Sequence, residues 1–493
     1  MPTLASLTAT LSVTLLGNPD TEVRGIQYDS RQVQPGDLFA CVPGTKTHGH
    51  HFIPQVLQAG AAALLVEDAA VVPAGVAAIV VPDSRRALAE IAAAFYHHPC
   101  ERLTVIGVTG TNGKTTTTTL LWQMLRAAGH PTGLIGTMAY HIGDEVLAAP
   151  HTTPQAPDLQ ALLARMCDAG LTHVVMEVSS HALCLHRVTG CRFHLAAFTN
   201  LTQDHLDFHG TMEAYRAAKI DLFASPQYQP TSGAMTSLLN RDDPSAELFA
   251  AQARGPVRRF GLTGGDYQAC DVVLRAAGSR FTLRYPGGVV PVTIQLVGSF
   301  NVSNALAALA LALELGVDPL VAAQALAEIP PVDGRFQRVP SRAGQPSVVV
   351  DYAHTPDGLD NVLRTAHEIA PGRVVAVFGC GGDRDRTKRP QMAAIAARWA
   401  RTIFVTSDNP RSEPPERIIE EILAGFTAEQ RARVTVEADR AAAIRRAIIS
   451  STPEDLVVLA GKGHETYQIL ADRTVHFDDR EEAVRALAAW STG

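Results

Sequence analysis

The chain has 493 residues, of which 46% are apolar and 18% are charged, and its formal net charge is -7. This length suggests about three domains, and the composition is that of a globular protein rather than a disordered one. The negative charge argues against a nucleic-acid binder, because such proteins carry broad cationic surfaces. A phosphate-bearing ligand therefore needs local cationic sites.

The N-terminal stretch and the cysteines indicate the compartment. Residues 1–17 are apolar, but no Lys or Arg precedes Arg24, so we expect a folded element rather than a signal peptide. No apolar run reaches the length of a membrane span. The seven cysteines form no CxxC pair, which is typical of reduced thiols. We expect a cytoplasmic protein without a membrane span.

Three segments follow one another along the chain, and we predict domains at residues 1–99, 100–333 and 334–493. The first two show short strands alternating with helices. In the third, the predicted strands are residues 348–350, 374–378, 403–406 and 456–459. Their alternation with helical stretches predicts a doubly wound parallel sheet, and the fold class is therefore α/β.

A glycine-rich run lies between a strand predicted at 104–108 and a helix predicted at 116–127. The run is Thr109-Gly110-Thr111-Asn112-Gly113-Lys114-Thr115. Such a loop can curl so that backbone N–H groups and the helix N-terminus point at phosphate oxygens. Lys114 can reach the terminal phosphates, and the Thr115 hydroxyl can coordinate Mg²⁺. Although Val108 breaks the strict GxxxxGK[ST] pattern, the strand, loop and helix in register predict a nucleotide site.

An acidic residue is expected to end a strand beside this loop. The apolar run at 174–178 supplies one in Glu177. A carboxylate there can help to hold Mg²⁺, or it can be the partner of a structural ion pair. The sequence leaves both interpretations open.

Lys219 lies on an apolar stripe with Met212, Tyr215 and Leu222, which recur at helical spacing. A lysine in such a stripe usually snorkels, with its stem buried and its ammonium in water. Alternatively, desolvation lowers the pKa of the amine by up to ~3–5 units. The neutral amine can then take up CO₂ and become a carbamate, an anionic oxygen ligand for Mg²⁺. The run at 200–207, NLTQDHLD, supplies further possible ligands just upstream.

Together these motifs resemble the Mur ligases. The matching runs are TGTNGKT at 109–115, MEVSSHAL at 176–183, TNLTQDHLDFHG at 199–210, AYRAAK at 214–219, GSFNVSN at 298–304, DGR at 333–335 and DYAH at 351–354. The resemblance covers nearly the whole chain. It implies a three-domain α/β architecture with a UDP-binding N-terminal domain, a central P-loop ATPase domain and a C-terminal Rossmann-like domain for the incoming amino acid.

The resemblance implies roles for individual residues around ATP. By the family pattern Lys219 is carbamylated and shares one Mg²⁺ with His205, while Thr115 and Glu177 hold another. The implied catalytic residues are Lys114, Glu177, His205 and Lys219. The implied ATP-binding residues are Gly110, Thr111, Asn112, Gly113, Lys114, Thr115, Thr116, Asn301, Arg335, Asp351 and His354.

A second implied set binds the UDP-linked muramyl peptide. Its members are Tyr28, Ser30, Thr45, Lys46, Thr47, His151, Thr152, Thr153, Ser179, Leu185 and Arg187. Leu185 stands where the family pattern has Gln, and His151 stands where it has Asn. A Leu cannot replace the hydrogen bonds of an amide, so we expect the contacts at this position to differ.

The run Asp408-Asn409-Pro410-Arg411 resembles the motif of the family members that add meso-diaminopimelate. Diaminopimelate has a distal carboxylate that L-lysine lacks, and a guanidinium can bind it with two hydrogen bonds. The implied pocket consists of Arg384, Asp408, Asn409, Pro410, Arg411, Gly461 and Glu465, with Glu465 facing the distal ammonium. The alternative interpretation of this run is a β-turn with a solvated Arg.

The resemblance thus implies an ATP-dependent ligase that joins meso-2,6-diaminopimelate to UDP-MurNAc-L-Ala-D-Glu through an acyl phosphate, in peptidoglycan precursor synthesis. It implies these small molecules, Mg²⁺ and a CO₂-derived carbamate as ligands, no nucleic acid, and a monomer. The alternatives are a sister ligase adding L-lysine or a dipeptide, a folylpolyglutamate-synthase-like ligase, and a non-catalytic ATP-binding switch. A redox enzyme is a further rival, but Arg384 occupies the third Gly position of the GxGxxG run that begins at Gly379.

Overall fold

A computed structural model describes residues 1–44 and 47–490. These residues form three large sheets and one hairpin, and each large sheet is drawn from one of the three predicted segments. The predicted domain boundaries themselves stay predictions. Short 3-10 helices lie at Gly49–Phe52, Ala69–Val71, Pro99–Glu101 and Pro226–Tyr228.

The N-terminal sheet is mainly parallel. Its strands are β1 (Thr14–Leu16), β2 (Gly25–Gln27), β3 (Asp37–Ala40), β4 (Ala63–Val66) and β5 (Ala77–Val80), in the order β1-β5-β4-β3-β2. Only β1 runs antiparallel to its neighbour. Its helices are α1 (Leu4–Leu7), α2 (Ile53–Gln58) and α3 (Ser84–Phe95). Helices α1 and α3 pack on one face and α2 on the other.

The middle sheet has eleven strands. They are β6 (Thr104–Thr109), β7 (Thr132–Ile135), β8 (Ala139–Ile142), β9 (Glu145–Ala148), β10 (His173–Glu177), β11 (Leu195–Phe198), β12 (Thr236–Asn240), β13 (Val257–Gly261), β14 (Tyr267–Arg275), β15 (Gly278–Tyr285) and β16 (Gly288–Ile294). Their order is β16-β15-β14-β13-β12-β11-β6-β10-β7-β8-β9. Strand β6 is parallel to both neighbours, β10 and β11. In open α/β sheets, ligands bind at the carboxyl ends of such parallel strands, where the connections from adjacent strands lead away in opposite directions.

Helices cover both faces of the middle sheet. They are α4 (Lys114–Ala127), α5 (Ala156–Asp168), α6 (Ser180–Cys184), α7 (Leu206–His209), α8 (Met212–Ala224), α9 (Ala246–Ala250), α10 (Ser299–Glu314) and α11 (Pro319–Glu328). Helices α4, α10 and α11 share one core, and α5, α6 and α8 share the other. Helix α10 is buried on nearly all sides, as expected from its Ala- and Leu-rich sequence. It supports the loop that precedes α4.

The C-terminal sheet has six strands and is doubly wound. They are β17 (Gln337–Val339), β18 (Ser347–Asp351), β19 (Val374–Phe378), β20 (Thr402–Val405), β21 (Val434–Val436) and β22 (Leu456–Ala460), in the order β17-β18-β22-β19-β20-β21. Its helices are α12 (Pro356–Ile369), α13 (Lys388–Trp399), α14 (Pro415–Leu423), α15 (Ala428–Arg431), α16 (Arg440–Ile449) and α17 (Asp479–Ala489), and the hairpin is β23 (Tyr467–Ile469) with β24 (Thr474–His476). Apolar residues of these strands pack against α12, α13 and α14 on one face of the sheet and against α16 and α17 on the other. A sheet covered by helices on both faces confirms the predicted α/β fold class.

The middle and C-terminal domains touch in the segments that follow β6 and β11. The Asn112 amide donates to the Asp357 carboxylate at 2.7 Å, and the Gln203 amide donates to Asp385 at 3.1 Å and to Thr387 at 2.8 Å. None of the helices in the described part of the chain is both long and apolar enough to cross a membrane.

Candidate active site

A cavity of about 370 Å³ opens between the middle and C-terminal domains. The loop between β6 and α4, together with the first turn of α4, lines one side, through residues 111–116. Arg335, Asp351 and His354 line it from the C-terminal domain. The fold therefore brings most of the predicted ATP-binding residues to one cavity.

The loop between β6 and α4 depends on two glycines. The φ angles of Gly110 and Gly113 are +152° and +88°, which disfavour other residues. A Cβ atom at Gly113 would collide with the Asn304 side chain of α10. Helix α4 starts directly after this loop, at Lys114. Its free N–H groups and its dipole make this end of the cavity a site for an anion.

Two lysine ammonium groups converge on one carbonyl oxygen of this loop. Lys114 Nζ donates to the carbonyls of Gly110 at 2.8 Å and Thr111 at 3.0 Å, and Lys219 Nζ donates to Gly110 at 2.9 Å. Burial lowers the pKa of both amines, and the nearby charge of Lys114 lowers the pKa of Lys219 further. Lys219 is only 1% exposed. The snorkelling interpretation of Lys219 is therefore wrong.

Glu177 is buried at the end of β10, beside the loop between β6 and α4 (the phosphate loop, residues 109–115). Its Oε2 accepts a hydrogen bond from the Thr115 hydroxyl at 3.1 Å, and its Oε1 accepts one from the Thr137 backbone N–H at 2.8 Å. The Arg335 guanidinium in turn donates to the Thr115 hydroxyl at 3.0 Å. Among the described residues Glu177 has no cationic partner within salt-bridge distance. The structure thus gives no support to the ion-pair interpretation.

His205 lines the same cavity, at the start of α7. Its φ of +56° turns the chain sharply, and its Nε2 lies 3.3 Å from Asp204 Oδ2. Burial lowers the pKa of His205 to about 3. The imidazole is therefore neutral at pH 7, the form that can ligate a metal.

The donor set fits a Mg²⁺ ion that is bound mainly through phosphate. Residues 1–44 and 47–490 contain no group of three or more His, Cys, Asp or Glu side chains arranged as a metal site. Mg²⁺ commonly uses only one or two carboxylates together with phosphate oxygens and water. The buried Glu177 carboxylate and Thr115 hydroxyl, next to the phosphate loop, suit this mode of binding.

Of the other implied ATP-binding residues, Asn301 lies outside the cavity, whereas Asp351 and Arg335 line it. Asn301 is fully buried within α10, where its side-chain amide donates to the carbonyl of Val297 at 2.8 Å, and it does not line the cavity. Asp351 ends β18, and burial raises its pKa to about 6. The guanidinium of Arg335 stacks 4.8 Å from the ring centre of Tyr352.

A second cavity, of about 630 Å³, lies between the N-terminal and middle domains. Its lining includes the predicted residues Tyr28, Ser30, Thr47, Leu185 and Arg187. The Tyr28 hydroxyl donates to Asp158 at 2.6 Å and so joins the two domains. The predicted Thr45 and Lys46 lie outside the described residues.

Two of the remaining residues of the acceptor set belong to the first cavity. Thr152 and Ser179 line the first cavity. The Thr153 hydroxyl donates to the backbone carbonyl of Glu177 at 2.8 Å, and Arg187 donates to the backbone carbonyl of Thr153 at 3.0 Å. His151 is exposed, and its carbonyl accepts from the Tyr140 hydroxyl. Arg187 of the second cavity is therefore connected through Thr153 to Glu177, which lines the first cavity.

The residues implied for diaminopimelate gather at the carboxyl ends of three adjacent strands. Arg384 follows β19, residues 408–411 follow β20, and Gly461 and Glu465 follow β22. The Asn409 amide donates to Glu465 Oε2 at 2.9 Å, which links two of these loops.

Residues 408–411 form a partly buried segment. Asp408 and Asn409 are 6% and 3% exposed. Arg411 has a φ of +52° and donates to the carbonyl of Gly382 at 2.9 Å. A turn begins at Pro410, whose carbonyl accepts from the Glu413 N–H at 3.1 Å, but the Arg411 side chain is half-buried rather than solvated.

Comparison with known proteins decides the family. Residues 22–96 match the Mur ligase family, catalytic domain, residues 108–312 match the Mur ligase middle domain, and residues 334–463 match the Mur ligase glutamate ligase domain. The chain is 45% identical over 487 residues to the UDP-N-acetylmuramoyl-L-alanyl-D-glutamate–2,6-diaminopimelate ligase of Syntrophomonas wolfei, covering 98% of this chain and 99% of that one. The chain belongs to the Mur ligase family.

Other Mur ligases match over similar lengths. The ligase of the same name from Gloeobacter violaceus is 48% identical over 472 residues, with 95% of each chain covered. A solved structure bearing this name has a TM-score of 0.69 and 32% identity, covering 99% of both chains. The predicted three-domain architecture and the prediction of an ATP-dependent ligase are confirmed. The redox rival is therefore wrong.

The Mur ligase site also contains residues that the sequence did not single out. Asn304, Asn200, Thr137 and Asp357 line the first cavity. Asn304 and Asn200 belong to runs that carried the resemblance, so their position in those runs was a usable signal. Asp357 reaches the cavity only because α12 of the C-terminal domain docks near Asn112, and no local pattern signals that contact.

Proposed function

We propose that this chain joins meso-diaminopimelate to the D-Glu γ-carboxylate of UDP-MurNAc-L-Ala-D-Glu, with hydrolysis of ATP to ADP and phosphate. Relatives named UDP-N-acetylmuramoyl-L-alanyl-D-glutamate–2,6-diaminopimelate ligase are 45–48% identical to the chain over nearly its whole length. The observation that carries the choice of amino acid is the placement of Arg411 and Glu465 in adjoining loops. A diamino dicarboxylate offers a distal carboxylate to the guanidinium and a distal ammonium to the carboxylate.

The reaction proceeds in two steps. The D-Glu γ-carboxylate attacks the γ-phosphorus of ATP, which forms an acyl phosphate and releases ADP. The α-amine at the L-centre of diaminopimelate then attacks the acyl carbon, the C–N bond forms, and phosphate leaves with loss of one amine proton. Because no enzyme nucleophile is needed, the work of the chain is positioning and charge neutralisation.

The phosphate loop performs most of this work in the first step. Lys114 and the N-terminus of α4 neutralise the phosphate charge that otherwise repels the attacking carboxylate. Thr115 and Glu177 would hold one Mg²⁺, and His205 with the modified Lys219 would hold a second. Bound Mg²⁺ adds further positive charge beside the transferred phosphoryl group.

Lys219 carries the carbamate in this proposal. Its amine lies in a buried site beside the Lys114 charge, and both features favour the neutral form. The neutral nitrogen adds to the carbon of CO₂, and one proton leaves, so that the buried cation becomes an anion. That anion can balance the charges of Lys114 and Mg²⁺.

The two cavities divide the acceptor substrate between them. The UDP moiety occupies the cavity that Ser30 and Thr47 line, and the peptide extends past Arg187 and Thr152 toward the phosphate loop. Leu185 lines the same cavity as Ser30 and Thr47, and it replaces an amide contact with an apolar one. We place the enzyme in the cytoplasm, because ATP is its co-substrate and its seven cysteines are free thiols. In this proposal it acts as a monomer in peptidoglycan precursor synthesis, without nucleic acid.

The test is release of phosphate from ATP in the presence of UDP-MurNAc-L-Ala-D-Glu, with either meso-diaminopimelate or L-lysine. Release with diaminopimelate alone is the expected result. Preference for lysine would keep the ligase and remove the assignment of the pocket. Release with neither amino acid would point to another sister ligase or to a non-catalytic ATP binder.

A further inference from the structure

Lys462 is a buried cation in the loop that follows β22, and it contacts the loop that follows β20. Its side chain is 0% exposed. Its Nζ lies 3.2 Å from Asn409 Oδ1 and 3.3 Å from Glu465 Oε2. It therefore contacts two of the residues assigned to diaminopimelate, although it is not in that set.

The contacts of Asn409 fix the orientation of its amide. The Oδ1 atom accepts from Lys462 and from the backbone N–H of Ile469 at 3.0 Å. The Nδ2 atom donates to Glu465 Oε2 at 2.9 Å. A flipped amide would lose these bonds and leave buried polar atoms unpaired, which is unfavourable.

The two oxygens of Glu465 have different surroundings. Oε2 accepts hydrogen bonds from both Asn409 and Lys462. Within residues 1–44 and 47–490, the donor to Oε1 is the Tyr352 hydroxyl, at the long distance of 3.5 Å. Oε2 is thus held by the protein, whereas Oε1 retains capacity for a further donor.

Lys462 also balances the local charge. Burial raises the pKa of Glu465, and the neighbouring Asp408 raises it further, whereas Lys462 acts in the opposite direction. The guanidinium groups of Arg411 and Arg440 also lie near Asp408 and Glu465, but Lys462 is the cation within salt-bridge distance of Glu465 among the described residues. The direct contact with this ammonium stabilises an ionised Glu465 in a largely buried site.

We infer that Lys462 is a positioning residue, which holds Glu465 and Asn409 so that Glu465 Oε1 receives the distal ammonium of the diamino acid. This inference rests on the proposed function. Lys462 does not contact the amino acid itself, because its ammonium lies on the Oε2 side of the carboxylate. Its effect therefore depends on the negative charge of Glu465.

The test compares Lys462→Met and Lys462→Arg with the parent enzyme, by steady-state kinetics in each of the three substrates. We expect Lys462→Met to raise KM for diaminopimelate about tenfold or more, with kcat and the other KM values changing much less. Lys462→Arg keeps the charge and should recover part of the loss. A uniform loss in all three substrates would overturn the inference.

A control separates this effect from general destabilisation. Arg373 pairs with Asp455 at 2.7 Å near the opposite, amino-terminal ends of β19 and β22. Arg373→Met should lower the melting temperature and leave KM for diaminopimelate unchanged. If Arg373→Met raised that KM as much as Lys462→Met, the positioning role would be excluded.

A double-mutant cycle with Glu465→Gln completes the test. Because Lys462 acts through the Glu465 charge, Lys462→Met should add little to the effect of Glu465→Gln. The Gln background also relieves the unpaired buried carboxylate, so the double variant can be assayed if Lys462→Met alone folds poorly. Fully additive effects would overturn the positioning role. An unchanged KM in Glu465→Gln alone would remove the proposed pocket itself.

Discussion

Asp204 of the middle domain and Lys388 of the C-terminal domain form a buried ion pair, with Lys388 Nζ 3.7 Å from Asp204 Oδ1. The side chains are 7% and 6% exposed, respectively. Burial alone would raise the pKa of Asp204, but His205, Lys388 and His354 together hold it well below its usual range. The pair therefore joins the two domains directly beside His205, the proposed metal ligand.

Lys388→Met should impair closure of the active site. Removing one partner of a buried pair typically costs about 3–5 kcal/mol, because the other charge stays buried. We expect kcat/KM to fall about 100-fold or more, and small-angle scattering with ADP to report a larger radius of gyration. Arg398→Met, on an exposed position of the same helix α13, is the matched control. Parent-like kinetics in Lys388→Met would exclude this role.

Lys219→Ala should lose activity by about 10³-fold or more, because the proposed carbamate is an Mg²⁺ ligand. Lys219→Arg is the informative companion, since it keeps a cation of similar length that cannot take up CO₂. Phosphate release measures both variants, and ¹³C NMR of the parent protein with ¹³CO₂ should show a carbamate resonance that both variants lack. An active Lys219→Arg enzyme would contradict the carbamate.

Gly113→Ala should weaken ATP binding. The new methyl group meets Asn304, and the residue keeps a positive φ that Ala disfavours by about 1–2 kcal/mol. We expect KM for ATP to rise about tenfold or more, measured at saturating levels of the other substrates. Gly129→Ala also places Ala at a positive φ, but in open space after α4, so it should leave KM for ATP unchanged.

Arg411→Ala should raise KM for diaminopimelate about 10- to 100-fold, because hydrogen bonds to a charged group are lost. KM for ATP should change little, since the ATP cavity lies in a different place. Arg473→Ala, on an exposed residue of the β23–β24 hairpin, is the control. Unchanged saturation by diaminopimelate in Arg411→Ala would remove Arg411 from the pocket.

His181 should make the fold less stable in mild acid. Burial, followed by the nearby His209 and Arg187, lowers its pKa to about 4, whereas an unfolded His titrates near ~6.5. Between these values the unfolded chain binds more protons than the native one, so stability is lost as the pH falls through this window. His181→Gln should reduce the fall in melting temperature between about pH 7 and pH 4. His476→Gln, at an exposed site, is the control, and an equal slope in both variants would contradict the assignment.

The sequence was most informative where one short run forms one structural unit. The run at 109–115 predicted the phosphate loop, because strand, glycines and helix start are all local features. The apolar stripe placed Lys219 on a buried helix face. It could not place the ammonium on the carbonyl of Gly110, because that contact joins two segments that are remote in the chain.

Contacts between domains were the least predictable part of the site. The pair Asp204–Lys388 and the hydrogen bond between Asn112 and Asp357 depend on how two separately folded sheets dock. Lys462 was hidden for a related reason. Its role depends on contacts with Asn409 from another loop, and a Lys in a Gly-rich run looks like an exposed residue.

The phosphate loop and the loops assigned to the incoming amino acid end strands of two different sheets, which share no strand. Substitutions in the loops after β19, β20 and β22 can therefore change which amino acid is joined while the machinery for phosphoryl transfer stays intact. Natural selection can act on the two tasks separately. A lineage that changes the chemistry of its cell wall needs to remodel only one domain of such an enzyme.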